Sequence, residues 1–168
     1  PLIDGSGPWC TGTTAAVLSG GTLSGLIGAD LSNISVSTGT FASKNAGNGI
    51  AVTVNAVLGG SAGGNYALVP VNGLTGNISK ATISGVSGIV AGNKVYDGNT
   101  AVSLNTAGAA FSGMAGGDNL TVSGASGSFA DKNAGNGKTV NVSGIVLGGT
   151  DAGNYNLASD TASSSANI

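Results

Sequence analysis

The chain has 168 residues, a formal net charge of −2 and 7% charged residues, against roughly a quarter in ordinary soluble domains. It contains no His, Glu, Gln or Arg and a single Cys, so the usual catalytic triads, zinc sites and carboxylate-pair acid–base machinery cannot be assembled, and its few scattered lysines offer nucleic acid no basic patch. No apolar run approaches the roughly 20 residues of a membrane-spanning helix, and the aromatic girdles of a transmembrane barrel are missing; the composition describes a non-enzymatic chain without a cofactor that neither enters a membrane nor binds nucleic acid.

The opening residues, Pro1 to Pro8, read as an extended lead-in with at most a short strand at Leu2-Ile3. The chain starts on Pro1 without a Met or a signal segment, as a processed product or a fragment would. Cys10 has no intrachain partner; it is either a small half-buried residue at a strand end or the donor of an intermolecular crosslink. Beyond it, Leu26-Ile27-Gly28-Ala29-Asp30 reads as a bend with a helical turn before the aspartate, and Ile34 to Ser37 as a strand. Thr40 to Leu68 then reads TFASKNAGNGIAVTVNAVLGGSAGGNYAL. That stretch recurs as SFADKNAGNGKTVNVSGIVLGGTDAGNYNL from Ser128 to Leu157, so the chain is a tandem duplication.

Each copy has the pattern of a β-hairpin. Val52 and Val54, like Val140 and Val142, alternate with polar residues as one buried face requires, and Asn48-Gly49 and Asn136-Gly137 supply a turn with positive φ. The glycine-rich run that follows places Tyr66 and Tyr155 where a loop re-enters a strand. They are either plain core aromatics or tyrosine corners whose phenol bonds back to nearby backbone. The first unit closes on Gly76-Asn77-Ile78, the second on Ala166-Asn167-Ile168, which sets the units at 1–79 and 80–168. Ser79 to Val90 reads as a strand opening the second unit. The first unit has only Pro1 to Pro8 in the corresponding place, and an edge strand missing there would leave it open to a strand from a neighbouring molecule.

Glycine interrupts every candidate helix, at about 1 kcal/mol each relative to alanine. The fold class is therefore all-β: two tandem small β-sandwich units of Ig-like, Greek-key type, with a β-grasp-like unit as the alternative. With aromatics at 4%, Phe41, Tyr66, Tyr96, Phe129 and Tyr155 are read as structural residues. Asp97, Asp118, Asp131 and Asp151 lie near glycine turns and are weak calcium candidates, although no run has EF-hand spacing and turn-capping explains them as well. A Lys–Asn isopeptide crosslink through Lys132 or Lys138 would need a buried carboxylic acid as catalyst and would lower the mass by about 17 Da, the mass of ammonia.

Lys94-Val95-Tyr96-Asp97-Gly98-Asn99-Thr100, followed by Phe129-Ala130-Asp131-Lys132-Asn133-Ala134-Gly135-Asn136-Gly137-Lys138, Asp151-Ala152-Gly153-Asn154-Tyr155 and the closing Ala166-Asn167-Ile168, resembles the YDG repeat of large bacterial surface proteins. Such repeats occur in tandem in filamentous-haemagglutinin-like adhesins, close to the repeats called bacterial Ig-like or MBG. The first unit matches from Phe41 to Leu68, but Cys10 and Thr11 stand where the second has Tyr96 and Asp97, and Ala62 where it has Asp151. The resemblance implies an extracellular, non-catalytic module on the bacterial cell surface. The expected function is a stalk repeat, or a filament or matrix subunit that associates with copies of itself by β-strand addition. The alternative is a module that binds a carbohydrate or a host protein.

Overall fold

The structure is a computed structural model that describes residues 15–16, 25, 27, 34–69 and 72–168. Trp9 and Cys10, the first unit's proposed open edge, and Asp30 with the helical turn expected before it lie outside the described residues. The fold is all-β: the described elements are strands, two short 3-10 turns and connecting turns. The chain divides into two compact units, Pro1–Ser79 and Lys80–Ile168.

In the first unit, β1 (Ala15–Ala16), β2 (Ile34–Phe41), β3 (Gly47–Leu58) and β4 (Thr75–Ile78) form one antiparallel sheet in that order. On β3 the alternation works as its sequence requires. Val52 is buried and Val54, Ala56 and Leu58 are half-buried, whereas Ala51, Thr53, Asn55 and Val57 face solvent. A 3-10 turn at Gly63–Asn65 leads to the half-buried Tyr66.

In the second unit the chain first runs through three short strands, β5 (Ala81–Ile83), β6 (Gly85–Ser87) and β7 (Val90–Ala91). Then follow β8 (Ala101–Val102), β9 (Leu104–Asn105), β10 (Ala110–Ser112), β11 (Thr121–Phe129), β12 (Lys138–Gly148), β13 (Tyr155–Leu157) and β14 (Ala162–Ala166). The main sheet is antiparallel, in the order β14-β12-β11-β8. Opposite it, β5 pairs with β13, β6 with β10 and β7 with β9. The core lies between these layers. Ile83, Val86, Ile89 and Ala91 on one side meet Phe129, Val140, Val142, Ile145 and Ala166 on the other, with Leu120 and Tyr155 at the edge. The β8–β9 segment joins the layers: Val102 pairs with β11, and Leu104, two residues on, pairs with β7.

The phase of β12 shifts once. Val140 and Val142 point inward, and after Gly144, whose φ is 65°, the next buried residue is Ile145 instead of Gly144. One extra residue at this bulge keeps a side chain in the core where strict alternation would have inserted a glycine.

The pairing of β5 with β13 is parallel, and the other described pairings are antiparallel. Several expectations of local structure are corrected here. No helix crosses the second unit's sheet, as a grasp-like unit would need. The same helical turn is expected from the sequence of the second unit's counterpart, Met114-Ala115-Gly116-Gly117-Asp118, but the chain there is a plain turn, because Gly113 and Gly117 take φ values of 97° and 89°. Asn48-Gly49 and Asn136-Gly137 are not the tips of two-residue turns. Only the glycine of each pair has positive φ, 66° and 60°, and the connections run from Phe41 to Gly47 and from Phe129 to Lys138. Among the expected structural aromatics, Phe129 and Tyr155 are buried, Phe41 and Tyr66 are half-buried, and Tyr96 is 55% exposed, outside the core.

Candidate functional site

The motif residues of the second unit gather at two ends of its main sheet. At the end where β11 finishes and β12 starts, two loops are each organised around a lysine. The Lys94 ammonium donates to Asp97 Oδ1 at 2.7 Å, to the Asn99 carbonyl at 2.8 Å, to Asn99 Oδ1 at 2.9 Å and to the Ala101 carbonyl at 3.0 Å. It also stands 5.9 Å from the centre of the Phe129 ring, within cation–π reach. Local sequence explains the shape: the backbone N–H of Asn99 donates to Asp97 Oδ1 at 3.1 Å and that of Ala101 to Asn99 Oδ1 at 3.1 Å, two successive Asx turns.

Lys138 repeats the device. Its ammonium bonds Asp131 Oδ1 and the Asn133 carbonyl, while the Asn133 N–H donates to Asp131 Oδ1 at 2.8 Å. In both cases the cation is turned in and the anion faces out: the side chains of Lys94 and Lys138 are 15% and 13% exposed, those of Asp97 and Asp131 48% and 53%. The hydrogen bond from Lys94, followed by that from the Asn99 N–H, holds the Asp97 carboxyl below the usual carboxylate range. Lys138 and the Asn133 N–H do the same for Asp131.

The closing residues lock this end. Gly137 N–H donates to Asn167 Oδ1 at 2.7 Å, Gly135 and Ile168 exchange backbone hydrogen bonds of 2.8 and 3.0 Å, and Lys94 N–H donates to the Asn167 carbonyl at 3.0 Å. The first unit keeps two of these contacts: Gly49 N–H donates to Asn77 Oδ1 at 2.9 Å, and Gly47 pairs with Ile78 where the second unit has Gly135 and Ile168.

At the other end, the Tyr155 phenol accepts from the buried N–H of Ala115 at 2.9 Å and donates to Asp118 Oδ2 at 2.7 Å. Asp151 Oδ2 accepts the Asn119 N–H at 2.8 Å and the Thr150 hydroxyl at 3.2 Å. In the first unit the Tyr66 phenol accepts the N–H of Ile27, the counterpart of Ala115, at 3.1 Å. The tyrosines therefore pin a loop some forty residues back in the chain, not the adjacent backbone of a tyrosine corner.

This geometry separates the four aspartates. Asp97 and Asp131 sit at one end of β11 and Asp118 and Asp151 at the other, about 25 Å apart at roughly 3.3 Å per strand residue, so they do not converge on one ion. Among the described residues no three metal-ligating side chains come together. A lysine ammonium occupies the place a cation would take among the oxygens of Asp97, Asn99 and Ala101. Nor does Lys138 have the acid an isopeptide crosslink needs: Asp131 beside it is half-exposed and held ionised, whereas that reaction requires a protonated carboxyl.

Sequence reasoning did not find the lysine-centred loops or the role of Asn77 and Asn167. A signal was present. In the first unit Ser43 replaces Asp131 and Ile50 replaces Lys138, so both members of the pair are exchanged together, as are Lys94 and Asp97 for Pro8 and Thr11. Ser43 keeps the turn without the charge, its Oγ accepting the Asn45 N–H at 3.1 Å.

Among the described residues no helix is long and apolar enough to cross a membrane. No curated protein and no solved structure matches the chain. The family model described as YDG domain matches residues 11–73 and again residues 79–162. Those two stretches take in most of the chain and a large part of each unit, and the protein belongs to the YDG domain family.

Proposed function

We propose that this chain is a non-catalytic structural repeat of a secreted bacterial surface protein, serving as an adhesin stalk or as a subunit of an extracellular filament or matrix joined by β-strand addition. One observation carries the reading: the characteristic residues of the second unit are spent on the unit itself. Lys94, Asp97, Asn99, Asp131, Lys138, Tyr155 and Asn167 bond to their own loops, so the motif maintains a shape that can be repeated. The tandem match to one family supports it further. Low charge favours contact between copies, since little repulsion keeps them apart.

Sedimentation velocity of the purified chain, with negative-stain electron microscopy, separates the two forms. A ladder of oligomers or filaments identifies an assembly subunit, and an elongated monomer at high concentration identifies a stalk repeat and removes strand addition.

A second reading, a module that binds carbohydrate or a host protein, is favoured by one observation: Val95 and Tyr96 are 87% and 55% exposed at a loop tip. An exposed ring beside polar loops suits stacking on a sugar. Glycan-array binding that Tyr96→Ala abolishes supports it, and an array without signal rejects it.

A further inference from the structure

We infer that the second unit is a mechanical clamp: the end of its opening segment, residues 91–94, and its last strand lie side by side, are hydrogen-bonded to each other, and are loaded in shear when the unit is pulled by its two ends. The chain enters at one end of the main sheet and leaves at the other. Ala81 pairs with Tyr155, which follows the turn after Gly148, so β5 starts at the Gly148 end of β12. From there β5, β6 and β7 run along the unit to Asn93 and Lys94, beside the closing residues. At the exit, Ala166 pairs with Lys138, and Ile168 is bonded to Gly135, at the opposite end of β12. Both terminal segments thus run in the same direction.

They also bond directly. The Ala91 N–H donates to Ser164 Oγ at 3.1 Å, the Lys94 N–H to the Asn167 carbonyl at 3.0 Å, and the Asn167 N–H to Asn93 Oδ1 at 2.8 Å. A pull on Lys80 draws residues 91–94 towards the entry end, and a pull on Ile168 draws residues 164–167 the other way. The three bonds lie across that motion and carry the load together, as do the parallel β5–β13 ladder and the antiparallel β12–β14 ladder. A force applied at one end only, between β12 and β14, instead opens their ladder one bond at a time. The clamp deepens the stalk reading by naming what such a stalk resists, and rests on that reading for its use in a surface protein. The mechanical asymmetry itself is a property of the fold.

The test is single-molecule force spectroscopy on the full chain carrying Cys10→Ser, so that no native thiol competes. In one version handles are attached through Lys80→Cys and an added C-terminal cysteine. In the other they are attached through Asn136→Cys, in the exposed loop before β12, and the same C-terminal cysteine. The lengthwise pull is expected to give one sharp rupture releasing roughly 300 Å, at up to about 3.6 Å per residue. Its force is expected to exceed that of the peeling pull about twofold or more, because forced unfolding follows the barrier of the path taken. Asn93→Ala combined with Ser164→Ala, which removes two of the three direct acceptors, is expected to lower the lengthwise force by a clearly larger factor than the peeling force, in which the same bonds break one at a time.

Equal forces in the two geometries, or a gradual lengthwise extension without a rupture, overturn the clamp. A double variant that folds, as judged by its peeling trace, yet ruptures lengthwise at the unaltered force overturns its assignment to residues 91–94 and 164–167. Because single chains are pulled, these outcomes do not depend on self-association. A failed clamp leaves the stalk reading to the sedimentation result, and oligomers in that experiment leave the clamp untouched.

Discussion

An ammonium group turned into a small β-unit must find acceptors for three protons. Lys94 finds them in two backbone carbonyls, an amide oxygen and a carboxylate, and Lys138 bonds a backbone carbonyl and a carboxylate. Their aspartates have folded-state pKa values lowered from 3.8. A lowered carboxylate contributes stability that is complete above its unfolded value, shrinks as the pH falls below that value, and is gone below the folded one. The melting temperature should therefore fall on acidification from about pH 4 downward. In Lys94→Met and Lys138→Met it should be lower at neutral pH and decline less steeply in acid, as thermal melts at a series of pH values will show. The tyrosines form a second test. Tyr155→Phe leaves the buried Ala115 N–H without its acceptor and removes the donor to Asp118; a loss of about 1–3 kcal/mol is expected in denaturant titration. Tyr66→Phe frees an N–H at Ile27, which is 79% exposed, and water replaces the phenol at a smaller cost.

At the scale of the element, β12 shows how much was legible beforehand and why the rest was not. The valines alternate in the sequence, and the structure buries Val140 and Val142 to 0% and 1% exposure, because a strand can hide only every second side chain. Val140→Ala should destabilise the second unit by about 2 kcal/mol or more from lost burial and the cavity left behind. Val146→Ala, on the same strand but 55% exposed, should change it by less than about 0.5 kcal/mol. Equal effects would show that the phase assigned to the strand is wrong. The hairpins and the all-β class were readable because they rest on local periodicity. The loops were not. Asn-Gly pairs are a local signal for tight turns, but at Gly49 and Gly137 a distant asparagine takes the glycine N–H and draws the loop towards the closing strand. The lysine-centred loops likewise depend on partners up to seven residues away and on burial, neither of which has a periodicity. Tyr96 misled for the opposite reason: aromatic scarcity argued for the core, and the loop geometry turns the ring outward.

At the scale of the whole molecule, the chain repeats one plan with unequal reinforcement. Both units keep the tyrosine tie and the asparagine lock, and the second adds the two lysine-centred loops. Two heat-absorption peaks are expected in differential scanning calorimetry, since repeats have separable stabilities. Lys138→Met should move only the peak of the second unit, and a single peak shifted as a whole would contradict independent units. The difference in exposure within each ion pair also orders its possible history. Losing the carboxylate first strands a mostly covered ammonium, whereas losing the lysine first leaves a half-exposed carboxylate that water can solvate. A duplicated copy that sheds the pair has an easy path only through the aspartate-bearing, lysine-free intermediate. Among descendants of such a duplication, units with Asp and no Lys should outnumber units with Lys and no Asp.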